Sequence, residues 1–233
     1  MNRLIYILVF LSSTAYAELR DFRAEYIAKY QGLPVKAKAV RELYQLDDNR
    51  FRLVSSVRSV FINVTETTEF EYSNQQLRPI SYAYRRKGLG KKKNEELTFD
   101  WDKAQLNHDT NRSPLVAGTL DKLSLQHKLS RDIAEFIQVD EQPSELSYQI
   151  ADKEKRKTYR FKILDEEVLE TPLGPLRTIP IERIRDNKEK HTRFWLAIDH
   201  KYLLVKAVQT ENGRGLELSL VSATVNGVQI AAD

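Results

Sequence analysis

Arg23-Ala24-Glu25-Tyr26-Ile27-Ala28-Lys29-Tyr30 decides the fold class. Ala24, Tyr26, Ala28 and Tyr30 share one parity, and Arg23, Glu25 and Lys29 the other. Only an extended chain sends alternate side chains to opposite faces, so the segment reads as a half-buried β-strand. The same alternation recurs downstream, in Phe51, Leu53 and Val57 against Arg50, Arg52 and Arg58, and in Ile80, Tyr82 and Tyr84 against Ser81 and Ala83. Turn-forming residues separate such runs at Gln31-Gly32, Asp47-Asp48-Asn49, Ser73-Asn74 and Gly88-Leu89-Gly90. Residues 21–107 therefore read as a meander of long antiparallel strands, polar outside and aromatic inside.

One segment breaks the period. Across 119–137, Leu125, Leu129, Ile133, Phe136 and Ile137 recur at helical spacing, Asp121 is placed to cap the start, and Lys128, Arg131, Asp132 and Glu135 form a polar face. This predicts a helix packed on the sheet. Alternation then resumes in Leu146-Tyr148-Ile150, Tyr159-Phe161-Ile163, Phe194-Leu196-Ile198, Leu203-Val205-Ala207 and Leu216-Leu218-Leu220, with reversals at Pro172-Leu173-Gly174-Pro175 and Asn212-Gly213. Strands without β-α alternation argue against a parallel α/β fold. The expected class is mostly β: a large curved antiparallel sheet, half-barrel or open-barrel in form, on one amphipathic helix. Residues 18–233 form one β-rich domain on this reading, or two lobes, 18–110 and 140–228, joined by the helix.

The first 17 residues read as an address. Arg3 precedes a short apolar run from Leu4 to Leu11, and Ala15-Tyr16-Ala17 matches the small-x-small pattern of a signal-peptide cleavage site. The run falls short of the roughly 20 apolar residues of a spanning helix. Cleavage leaves 216 residues, and periplasmic localisation is expected. With no cysteine, the chain has no disulfide, no thiolate metal ligand and no lipidated cysteine anchor. Charges on the solvent-facing strand positions disfavour an integral outer-membrane barrel. A net charge of +4 on 30% charged residues is too mild for a nucleic-acid binder.

Motifs for chemistry are sparse. His108, His127, His191 and His200 stand at no metal-ligand spacing, no serine lies in G-x-S-x-G, and no cofactor motif appears, so no catalytic, cofactor or metal residues are assigned. Phe99-Asp100-Trp101-Asp102 is the nearest thing to a glycan site, two acids on an aromatic platform. Arg85, Arg86, Lys87, Lys91, Lys92 and Lys93 surround a glycine-bearing turn, and as a hairpin tip they suit an anionic surface, a peripheral membrane contact included.

Gly118-Thr119-Leu120-Asp121-Lys122-Leu123-Ser124-Leu125, Glu170-Thr171-Pro172-Leu173-Gly174-Pro175-Leu176 and Arg193-Phe194-Trp195-Leu196-Ala197-Ile198-Asp199, in that order, carry a likeness. With Tyr82-Ala83-Tyr84 and Phe99-Asp100-Trp101 upstream, the chain resembles the exported bacterial family called domain of unknown function 3108. Leu204 departs from its pattern, where a proline is expected. The resemblance implies a periplasmic β protein, a curved sheet wrapped on a helix like envelope lipid carriers, and no transferable catalytic residue. The expected function is a non-catalytic envelope binding module. Its concave sheet, lined by Tyr26, Tyr82, Tyr84, Phe99, Trp101, Phe161 and Trp195, would hold a lipid or other apolar ligand. The alternatives are an envelope assembly factor working through protein contacts, and a glycan-active enzyme.

Overall fold

The structure is a computed structural model that describes residues 21–30, 36–73, 76–88, 92–138, 143–153 and 155–230. The leader expected at 1–17 lies outside the described residues, as do the Gln31-Gly32 turn and Lys91. The first half is a run of antiparallel strands: β1 (Phe22–Tyr30), β2 (Lys36–Gln45), β3 (Arg50–Arg58), β4 (Ile62–Ser73), β5 (Gln76–Gly88), β6 (Lys93–Asp100), β7 (Gln105–His108) and β8 (Asn111–Pro114). A short β9 (Thr119–Leu120) leads into α1 (Ser124–Gln138). Then follow β10 (Glu145–Asp152), β11 (Lys155–Ile163), β12 (Glu167–Thr171), β13 (Gly174–Ile184), β14 (Lys190–Ala197), β15 (Leu203–Glu211), β16 (Arg214–Val225) and β17 (Val228–Gln229). The expected class stands: mostly β, with a large open antiparallel sheet.

The two halves are continuous. β1 pairs with both β2 and β16, so the first strand of the meander is also the partner of the last long one. At the other end β9 pairs in parallel with β10, at Gln149↔Thr119 and Ile150↔Leu120. β13 divides its length, pairing β12 through Gly174–Thr178 and β11 through Ile181–Ile184. The sheet thus curls almost into a barrel; among the described residues β8 pairs with β7, and β9 with β10.

The helix starts five residues later than its periodicity suggests, because Thr119 and Leu120 are drawn into the sheet first. Asp121 then performs the capping expected of it. Its Oδ1 accepts the backbone N–H groups of Leu123 (2.8 Å) and Ser124 (2.9 Å), and its own N–H donates to Ser124 Oγ (3.0 Å). The barrel wall joins in through Thr68, whose hydroxyl donates to Asp121 Oδ2 at 2.6 Å.

The sheet does more than support one face of α1; it also covers much of the polar one. No described residue of α1 is exposed. Leu125, Leu129 and Ile133 are buried among apolar side chains, while the polar face finds partners on the wall. Tyr148 donates to Asp132 at 2.6 Å, Arg131 lies 4.2 Å from the Tyr72 ring, and the His127 ring stands 5.1 Å from Phe70. Around Arg41 this packing leaves two voids of about 20 and 10 Å³, the scale of a single water each. Among the described residues, no helix is long and apolar enough to cross a membrane.

Candidate functional site

Antiparallel pairing gathers alternate strand ends at each end of the curl. At one end lie the C-termini of β1, β3, β5, β10, β13 and β15 and the N-termini of β2, β4, β6, β11, β14 and β16. This end is basic. Lys36, Arg58, Lys87, Lys92, Lys155 and Lys188 are exposed there, and none is ion-paired with a described residue. The opposite end exposes Asp47, Asp48, Asp102 and Asp165.

The six cations singled out in the sequence divide between the two faces of the hairpin. Arg85 is exposed and ion-paired with Glu96 at 2.9 Å. Arg86 pairs with Val64 in the ladder and so turns to the concave side, half-buried. Lys93 reaches Glu95 at 3.3 Å and lies 5.1 Å from the Tyr84 ring. Lys87 and Lys92 project into solvent. Lys91 is outside the described residues.

Inside the mouth, charge continues along the concave wall. Lys122 bridges Glu95 (3.6 Å) and Asp152 (2.8 Å), and Lys157 pairs with the same aspartate. Burial alone would raise the Asp152 pKa, but hydrogen bonds from Lys122 and Lys157 prevail and hold it at about 2. Farther round, Arg183 stacks 3.1 Å over Tyr159, and Arg185 donates to Thr192 Oγ1 at 2.7 Å. The Nε atoms of both arginines are buried without a hydrogen-bond partner, and neither guanidinium is ion-paired with a described carboxylate. Burial, reinforced by Arg185, lowers the pKa of Arg183, while Tyr159 opposes the shift. Beside them opens a cleft of about 320 Å³ lined by Tyr30, Arg185, Lys190, Gln209, Arg214 and Leu216, with Glu211 tied to Lys190 at 2.7 Å. A preorganised, under-neutralised guanidinium such as that of Arg185 in this cleft suits an acidic group.

The expected aromatic lining is mostly core. Tyr26, Tyr82, Phe99 and Phe161 are buried on the concave side, around or beside α1. Tyr84 is half-buried there, and Trp101, past the end of β6, donates its indole N–H to the Pro79 carbonyl at 2.7 Å. Trp195 belongs to the other face. The ladder places Phe194 opposite Ile181, concave with Leu129 of α1, which turns Trp195 outward between Pro180 and Lys206. There its indole N–H donates to Glu167 at 2.5 Å.

Among the described residues no group of three or more His, Asp or Glu side chains is arranged to hold a metal ion. Asp100, the leading acid of the glycan-active reading, accepts from Lys103 Nζ at 2.8 Å. That bond holds its carboxyl below the usual range, the wrong direction for a general acid. The basic mouth escaped the sequence reading because Lys122, Asp152, Lys157, Arg183 and Arg185 come from three separate segments. For Asp152, Lys157 and Arg183 the only local signal is a charged residue at an inward strand parity; Lys122 and Arg185 lie just outside strands and carry none.

Fold and site define a β-barrel-like protein, curled around one helix and open at a basic end. The chain belongs to the DUF3108 family, described as a protein of unknown function, whose model matches residues 25–220. It is similar to a crystal structure titled as a β-barrel-like protein of domain of unknown function DUF1849 from Brucella abortus. The TM-score is 0.55 at 12% identity, over 89% of this chain and 98% of that one, a likeness of fold alone. No curated protein matches the sequence.

Proposed function

We propose that this chain is an exported, non-catalytic binding module of the bacterial cell envelope that receives its ligand at the open, basic end of the sheet. The contrast between the two halves of the concave face carries this reading. Ligand pockets run to roughly 300–1,000 Å³. The apolar half keeps voids of about 20 and 10 Å³, whereas the mouth keeps about 320 Å³. An apolar chain in the upper half would have to take the place of α1. A ligand at the mouth need displace only water, and an acidic group on it would meet Arg185, with Arg214 and Lys190 beside it. The Arg3 and Ala15-Tyr16-Ala17 leader pattern supports export.

Native mass spectrometry of the protein isolated from its own periplasm tests the reading. A bound mass that is retained by wild type and lost from Arg185→Glu is expected; a ligand-free spectrum would count against it. The alternative, an assembly factor working through protein contacts, draws support from strand β12, where Val168 is 63% exposed. It predicts a co-isolated protein in place of a small ligand.

A further inference from the structure

The turn between β3 and β4 presents two apolar residues to solvent at the basic end. Val60 is 93% exposed, more than any other large apolar side chain among the described residues, and its neighbour Phe61 is 48% exposed. The turn is held. Ser59 Oγ accepts the backbone N–H groups of Phe61 (3.2 Å) and Ile62 (3.0 Å), and the Ser59 N–H donates to the Ile62 carbonyl at 2.9 Å. With the backbone satisfied by its own serine, the two side chains stand out on a preorganised tip, so little ordering cost attends their burial.

The cationic hairpin lies against this tip. Ile62 pairs with Gly88, whose φ of +117° favours glycine, and a Cβ there would come within 2.2 Å of the Phe61 carbonyl oxygen. The close approach brings the β3–β4 turn and the end of β5 side by side, so Arg58, Lys87 and Lys92 stand in a row along the convex side of an apolar point. Of the other exposed apolar residues, Leu46 adjoins Asp47 and Asp48, while Tyr30, also at the basic end, lines the cleft.

From this we infer that the basic end docks on the surface of an anionic lipid bilayer, with Val60 and Phe61 entering the interface and the neighbouring cations meeting the headgroups. An apolar point beside a row of cations matches a bilayer because that surface offers negative charge and, directly beneath it, an apolar phase. A nucleic acid or a flat acidic protein offers only the charge. The docking goes beyond the ligand reading above and stands without it, since it uses the rim and not the cleft.

Vesicle binding by the purified chain provides the test. Wild type should sediment with vesicles of equal parts phosphatidylcholine and phosphatidylglycerol, and not with phosphatidylcholine alone. Added salt should weaken the association, because a Debye length of about 8 Å at physiological ionic strength limits the reach of the rim. Val60→Ser combined with Phe61→Ser should weaken binding roughly ten-fold or more, and Lys87→Ser with Lys92→Ser should flatten its salt dependence. All four positions are exposed, and an unchanged far-ultraviolet spectrum reports that the variants fold. As a direct reporter, Phe61→Trp should show an emission blue shift on adding the mixed vesicles. Failure of wild type to sediment, equal binding by the Val60/Phe61 variant, or an unshifted Phe61→Trp emission alongside salt-sensitive binding would each overturn the proposal. The last would point to a purely electrostatic partner. A missing ligand in the mass spectrum bears on none of these outcomes.

Discussion

His127 carries a stability signature of its own. The side chain is buried between Phe70 (5.1 Å) and Tyr72 (6.4 Å), and burial, assisted by Arg131, Arg41 and Lys128, depresses its pKa to about 3. Unfolded, it would titrate near 6.5. Between those values the unfolded chain holds more protons, so the contribution of neutral His127 is complete above pH 6.5 and is lost as pH falls toward 3. The steepest loss is about 1.4 kcal/mol per pH unit. Glu66 and Asp121 act in the opposite sense, since burial raises their pKa values and favours the protonated folded form as pH falls. We expect His127→Gln to be less stable at pH 7 through lost packing, yet to lose at least about 1 kcal/mol less than wild type between pH 7 and pH 5. Urea unfolding at the two pH values measures this, and parallel losses would refute it. Trp195 teaches a different point at the same scale. Parity with Phe194 already assigns Trp195 to the face opposite the concave one, and the ladder puts it there; its aromatic character, and not its position in the strand, suggested the concave lining.

At the scale of the element, α1 depends on its first turn. Asp121 and Thr68 are both fully buried, and their hydrogen bond ties the helix start to the middle of β4. Asp121→Ala removes a cap and leaves the Thr68 hydroxyl without that acceptor, a combined cost of about 3 kcal/mol. Glu135→Ala, which removes only a half-buried i,i+4 pair with Arg131, should cost under about 0.5 kcal/mol. Guanidinium unfolding of the two variants beside wild type checks the contrast; similar losses would mean that the cap is dispensable. The helix and its cap were legible because both are local: a period of 3.6 and an aspartate before it. Two features were not. Thr119 and Leu120 became strand only because β10, about 30 residues onward, offers them a ladder. The polar stripe through Asp132 suggested a solvent face, but Tyr148 and Tyr72 supply partners from the surrounding wall.

For the whole molecule, continuity of the sheet has a thermodynamic consequence. β1 belongs to both halves, so neither 18–110 nor 140–228 keeps all its ladders if the other unfolds. Heating should therefore give one transition, coincident by far-ultraviolet circular dichroism and tryptophan fluorescence; two resolved transitions would mean that the halves are independent lobes. The same continuity sorts charge. A net charge of +4 says little, but hairpin topology biases the ends: Lys36, Arg58, Lys87, Lys155 and Lys188 stand with Asp186 and Glu189 at one, and Asp47, Asp48, Asp102 and Asp165 with Arg50 and Lys103 at the other. What the sequence by itself determined was local: strands from alternation, α1 from its period and cap, turns such as Asp47-Asp48-Asn49, where Asp47 Oδ1 accepts the Arg50 N–H at 2.9 Å. Tertiary structure alone decided that the wall also supplies partners to the polar face of the helix, and that Lys122, Asp152, Lys157, Arg183 and Arg185 meet at one mouth. The reason is physical. Alternation and capping are set by neighbours a few residues away, whereas curl, register shifts and the meeting of distant charges depend on ladders between strands far apart in the chain.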